Sequence, residues 1–204
     1  MNEIARARPF LFAAIAAALS LAGCSSPPAP SRAPLQGAKL GGPFSLTDQN
    51  GHQVTDRTYA GHYRIMYFGY TFCPDVCPVD VQNIGAGLRL LEQSDPAIAA
   101  KIVPIFVSVD PARDTPAVLK EYVGHFHPRM VGLTGSPAAI AAVAEEYAIT
   151  YDKGDVSPGG GYMVSHSRVA YLMDPDNKPL ALLPEDQSGQ AVADEAKRWV
   201  KVAP

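Results

Sequence analysis

Two short apolar runs, Tyr63–Tyr70 and Ile102–Val109, constrain this 204-residue chain more than any other feature. The first is dense in aromatic and β-branched residues and reads as a central strand. The second is apolar almost without interruption, the pattern of a strand buried on both faces in a parallel sheet. Between them, Pro78 opens a stretch in which Val81, Ile84, Leu88 and Leu91 recur three or four residues apart, the spacing of one helix face. Strand, helix and strand then make a βαβ unit, which needs a right-handed crossover.

The alternation continues to the end of the chain. Phe44–Asp48 reads as a short strand running into a turn at Gln49–His52. Thr115 or Asp114 can cap a helix that has Pro116 in its first turn and runs to about His125. Ser136-Pro137 opens an Ala-rich helix ending near Tyr147, and Ile149–Tyr151 reads as a short strand. After a loop at Gly159-Gly160-Gly161, Ser167–Met173 and Leu180–Leu183 read as a hairpin, and Ser188–Val200 as a C-terminal helix. This order resembles thioredoxin. The expected class is α/β: a thioredoxin-like fold, a mixed central sheet flanked by helices with an N-terminal strand or hairpin extension, over residues 41–204.

Residues 1–23 read as a lipoprotein signal peptide. Arg6 and Arg8 form a positive segment, and Pro9–Ala22 is almost wholly apolar but short of the roughly 20 residues that span a bilayer. Leu21-Ala22-Gly23-Cys24 sets small residues before a cysteine, the pattern in which that cysteine is acylated and becomes the new N-terminus. Residues 24–40, rich in Ser, Pro and Ala, read as an extended tether. The expected location is a cell membrane, with the lipid on Cys24 as the anchor and the domain facing the periplasm or the cell exterior.

A composition of 47% apolar and 18% charged residues is that of a globular domain, and a net charge of -3 leaves no basic footprint for nucleic acid. Of three cysteines, the lipid uses one, which leaves Cys73 and Cys77. Outside the cytoplasm such a pair is a disulfide, a redox couple or a metal site. The pair lies between a strand and a helix start, where unpaired N–H groups favour thiolate. Three residues separate the two, one more than in thioredoxin-type redox sites. That i, i+4 spacing puts both sulfurs on one face of a helical turn with room for an ion. Two soft sulfurs suit copper(I); a structural disulfide and a metal-free catalytic dithiol stand as alternatives.

A stable copper site needs a third ligand, above all for copper(II), and imidazole is the natural donor. His52 and His62 lie in early turns, and His125 and His127 at a helix end before Pro128, where a histidine meets the helix dipole. His166 lies between the Gly-rich loop and a late strand, at a junction that packs beside the Cys loop in the thioredoxin order and there usually carries a cis-proline. Met163 offers a thioether but is expected to be packed.

Four segments occur in order: Cys73-Pro74-Asp75-Val76-Cys77-Pro78; Val107-Ser108-Val109-Asp110-Pro111-Ala112-Arg113-Asp114-Thr115-Pro116; Phe126-His127-Pro128-Arg129 with Gly132-Leu133-Thr134-Gly135; and Tyr162-Met163-Val164-Ser165-His166-Ser167. In these the chain resembles the Sco/SenC family of copper chaperones, from roughly Gly42 to the C-terminus. The resemblance implies a copper ion, Cu(I) or Cu(II), held by Cys73, Cys77 and His166. It also implies a part in assembling the binuclear copper centre of cytochrome c oxidase, as copper donor, as reductant of the target's thiols, or both. The implied partners are the copper-site subunit of that oxidase and another copper donor; the implied role is a metallochaperone rather than an enzyme. One residue departs: Ser165 stands where the family usually has Asp, which can steer the imidazole or carry charge near the metal. The Asp110–Pro116 segment is expected to be structural, with Arg113 available for partner docking.

Overall fold

The computed structural model describes residues 32–202. The expected signal peptide, Cys24 and the first part of the tether lie outside the described residues.

The chain enters as a hairpin, β1 (Ser45–Asp48) and β2 (Gln53–Thr55), and passes through a 3₁₀ turn at Asp56–Tyr59. It then runs through β3 (Tyr63–Gly69), α1 (Val76–Ser94), the single-turn α2 (Pro96–Ala99), β4 (Ile102–Ser108), α3 (Pro116–Phe126), β5 (Val131–Thr134) and α4 (Pro137–Glu146). A short ribbon follows, β6 (Tyr151–Lys153) and β7 (Val164–His166), then β8 (Ala170–Met173), β9 (Pro179–Leu183) and α5 (Gly189–Trp199). The main sheet has the order β2-β1-β5-β4-β3-β8-β9. Strands β3, β4 and β5 are parallel, in register from Tyr63 opposite Ile102 to Gly69 opposite Ser108. Strand β8 runs antiparallel to β3, and β1 antiparallel to β5. This is the mixed, helix-covered, thioredoxin-like sheet, with the N-terminal hairpin as its extension.

Every residue of β3 is buried, which is why its sequence shows no alternation. Helices α1 and α5 cover one face and meet through glycines. A Cβ on Gly87 would stand 2.8 Å from the Gly189 carbonyl oxygen, and one on Gly189 would stand 2.7 Å from the Ala86 Cβ. Helix α3 is capped by Thr115, whose hydroxyl accepts from Val118 N–H, and α4 by Ser136, which accepts from Ala139 N–H.

Three expectations shift. Helix α1 begins at Val76 rather than Pro78, so Cys77 lies inside its first turn; Pro78 is tolerated there because first-turn amides have no helical acceptor. The expected strand Ser167–Met173 is shorter, β8 beginning only at Ala170, because residues 167–169 lie outside both sheets and send Arg168 to α1; a separate short strand, β7, precedes it. The domain also starts earlier than residue 41. Ala33 is buried, and Leu35 N–H donates to the Leu180 carbonyl at 2.8 Å, so the last part of the expected tether lies along β9. Among the described residues no helix is long and apolar enough to cross a membrane.

Candidate metal centre

The carboxyl end of β3 delivers Tyr70-Thr71-Phe72-Cys73 directly onto the start of α1. Both Cys73 and Cys77 are free thiols and both are buried, Cys77 completely and Cys73 with 8% of its surface open. Their surroundings differ. Burial alone would push the Cys73 thiol up, but the backbone N–H groups of Asp75, Cys77 and Val76, together with the Cys77 side chain, hold it below its ordinary value. These are the unpaired amides of the helix N-terminus, turned onto one sulfur. Cys77 faces inward, and burial pushes its thiol up to about 12, with the neighbouring Cys73 adding to the rise. Gly69 makes room for it: a Cβ there would stand 3.0 Å from the Cys77 sulfur.

His166 ends β7 and turns its ring to Cys77, with Nε2 3.2 Å from Sγ. Its Nδ1 lies 2.9 Å from the Ser167 carbonyl oxygen, which can only accept, so Nδ1 carries the proton and Nε2 offers its lone pair to the thiol. Tyr70 packs edge-on against the imidazole, with ring centroids 5.9 Å apart. Ser165 is exposed and sits opposite Asp152 across the β6–β7 ribbon. Side chains alternate along a strand, so residue 165 points away from the His166 ring, and the Ser167 carbonyl orients the imidazole instead.

Three groups lock these pieces together. Asp114, fully buried, accepts from Thr71 N–H at 3.0 Å, Thr71 Oγ1 at 2.6 Å and Ser108 Oγ at 2.6 Å, tying the Cys loop to β4. Arg113 ion-pairs with Asp110, donates to the Tyr162 carbonyl, and lies 3.6 Å from the Tyr162 ring centroid and 4.8 Å from that of Phe72. It therefore clamps the Cys loop to the His166 ribbon. Asp80, fully buried in α1, takes both Nε and Nη2 of Arg168, at 2.8 and 2.6 Å, and accepts from Tyr67 at 3.0 Å. That bidentate pair joins the helix of Cys77 to the chain two residues beyond His166.

Of the residues singled out in the sequence, Cys73, Cys77 and His166 come together. His52 pairs with Asp48 at the surface, His62 and His125 are exposed, and His127 is buried with Nε2 3.3 Å from Glu92. Burial lowers the His127 pKa against the opposing pull of Glu92, which makes it a structural histidine. Met163, expected to be packed, is 55% exposed. Thr115 caps α3 while Asp114 anchors the Cys loop, so the two candidate caps have separate tasks. Among the described residues no three His, Cys, Asp or Glu side chains already stand at the spacing of a metal cage. Cys77 and His166 are in contact, and Cys73 sits in the loop that leads into the helix of Cys77. Sequence reasoning missed Asp80 and Arg168, because nothing local marks a contact between residues 88 apart.

A family model described as SCO1/SenC matches residues 32–201. The mitochondrial protein SCO2 of Saccharomyces cerevisiae is 38% identical over 163 residues, covering 79% of this chain and 53% of that protein, so this chain spans about half the length of that relative. The solved structure of Bradyrhizobium japonicum ScoI with copper bound matches with a TM-score of 0.71 at 41% identity, covering 78% of this chain and 99% of that one. Yeast Sco1 with copper bound matches with a TM-score of 0.73 at 36% identity, over 81% and 91%.

Proposed function

The chain belongs to the SCO1/SenC family, and from that premise we propose that it is a metallochaperone that holds copper on Cys73, Cys77 and His166 and passes it to the binuclear copper site of cytochrome c oxidase. The supporting observation is the Cys77–His166 contact of 3.2 Å. A thiol proton shared with an imidazole lone pair occupies the place that a cation takes once the thiol ionises. The donor set suits copper in both states: two soft sulfurs satisfy Cu(I), and the imidazole completes the set for Cu(II). The neighbouring helix amides favour the Cys73 thiolate that first captures the ion. Loading also expels the Cys77 proton, so copper affinity falls in acid. Release proceeds by ligand exchange, as donors of the copper-site subunit replace these three one at a time. A lipid on Cys24 would hold the domain to the membrane on its periplasmic or external side, where another copper donor supplies the ion.

The test is a titration of the reduced protein with Cu(I) and Cu(II), alongside Cys73→Ser, Cys77→Ser and His166→Ala. One ion per chain is expected in the wild type. Each cysteine variant should weaken and shift sulfur-to-copper(II) charge transfer, and His166→Ala should lose Cu(II) while keeping most Cu(I) binding. Full Cu(II) affinity in His166→Ala would overturn the three-ligand site.

One observation favours a second reading, a membrane-anchored thiol–disulfide oxidoreductase without metal delivery. The two thiols are unequal: Cys73 is partly open and held low, while Cys77 is enclosed and pushed up to about 12. That is the division of labour between an attacking and a resolving cysteine. Oxidase assembly in cells that survives His166→Ala but not Cys77→Ser would favour it.

A further inference from the structure

Met163 is the residue whose place in the structure departs most from its sequence reading. Its side chain is 55% exposed, yet its sulfur is not free of the site: Sδ lies 3.8 Å from the Tyr70 hydroxyl. The Tyr70 carbonyl accepts from Cys73 N–H at 3.3 Å, and the Tyr70 ring packs edge-on against His166. One buried tyrosine thus joins the loop of the outer thiol to the imidazole and the thioether.

The backbone on both sides of Met163 is fixed. The Tyr162 carbonyl accepts from Arg113 at 2.9 Å, and the Tyr162 hydroxyl donates to Asp110 at 2.8 Å. The Met163 carbonyl accepts from Gly154 N–H at 2.9 Å, and the buried Val164 opens β7. In an extended strand, an inward Val164 turns Met163 outward. An apolar side chain is therefore held at the mouth of the site, where burial gains it little.

Resting on the copper-chaperone reading above, we propose that Met163 is a transfer ligand, a third sulfur that takes Cu(I) from Cys73 on its way into or out of the site. A thioether is a soft donor suited to Cu(I), and being neutral it binds without releasing a proton. It is also weaker than a thiolate, so it passes the ion on. In the outward step the bond between copper and the Cys73 sulfur breaks and a bond to the Met163 sulfur forms. Copper stays Cu(I) throughout, the Cys77 bond is kept, and the freed Cys73 thiolate takes a proton from water.

The test uses Met163→Leu, which keeps size and hydrophobicity while removing the sulfur. Protein preloaded with Cu(I) is mixed rapidly with bicinchoninate, a coloured Cu(I) chelator, and the rate of handover is followed. Met163→Leu should slow handover about tenfold, equivalent to about 1.4 kcal/mol in the barrier, while its unfolding midpoint and overall Cu(I) affinity stay close to wild type. In a Cys73→Ser background the residual Cu(I) affinity should fall about tenfold on adding Met163→Leu. Equal handover rates and equal residual affinities with Met or Leu would overturn the transfer role while leaving copper binding intact. A wild-type protein that takes up no Cu(I) would sink the chaperone reading and this one together.

Discussion

Two buried carboxylates flank the thiol pair, and they hold it by different means. Asp114 secures the loop of Cys73 through neutral donors only, the Thr71 amide and hydroxyl and the Ser108 hydroxyl. Burial pushes its pKa up, against the downward pull of those hydrogen bonds. Asp80 secures the inner sulfur and the imidazole through a full charge. Arg168 grips it with two nitrogens from the far side of His166, and the hydrogen bond to Asp80 drives the Arg168 pKa upward. The outer thiol thus sits on a support that does not need ionisation, whereas the junction of Cys77 with His166 hangs on an ion pair whose cationic end reaches solvent. Under the proposed copper handover, one firm hinge and one charge-dependent latch let the site open more readily than two equal supports would.

The latch breaks at greatest cost. Arg168→Met should destabilise the fold by about 3 kcal/mol, because a carboxylate stranded in the interior keeps only the Tyr67 hydroxyl as a donor. Urea unfolding measures the loss. The same variant should weaken Cu(II) binding more than Cu(I) binding, since His166 is the ligand released. Unchanged stability would mean that the pair is no latch.

A second charge sharpens the contrast. Glu185 is buried beside the same ion pair, and burial, helped by Asp80 and Asp186, raises its pKa from 4.5 to about 7. A carboxyl whose folded pKa is raised contributes stability below its ordinary value and loses that contribution as pH rises through the folded value. The wild type should therefore lose about 2 kcal/mol through this group between about pH 5 and about pH 8. Glu185→Gln should flatten that slope in melts taken across the range. An equal slope in both proteins would place the titration elsewhere.

The two supports were unequally legible in the sequence. The sheet could be read from Tyr63–Tyr70 and Ile102–Val109, because a strand buried on both faces must be apolar throughout. Cys73, Cys77 and His166 stood out because their chemistry is rare and the thioredoxin order sets where they meet. Asp114 is half-legible: its segment reads as structural, but Asp114 and Thr115 compete as the cap of α3, because Asp and Thr are equally good caps until the loop that claims the carboxylate is seen. Asp80 was illegible. In sequence it is one more polar residue on a helix, and only the fold brings Arg168, 88 residues away, to it. Met163 was misread because a methionine near a strand is usually core, and which face it takes depends on the parity set by Val164.

The smallest expected effect tests the hinge itself. Asp114→Asn removes a charge but keeps an acceptor. With the amide oxygen at the Oδ2 position, it still receives Thr71 N–H and Ser108 Oγ–H. The amide nitrogen then faces the Thr71 hydroxyl, which can rotate to accept. Burial already penalises the ionised form, so a neutral amide loses little by comparison. The expected cost is about 1 kcal/mol or less, and iodoacetamide should alkylate Cys73 at nearly the wild-type rate, since the loop stays in place. If Asp114→Asn costs as much as Arg168→Met, or frees Cys73 to react much faster, both carboxylates act as charges and the distinction between hinge and latch fails.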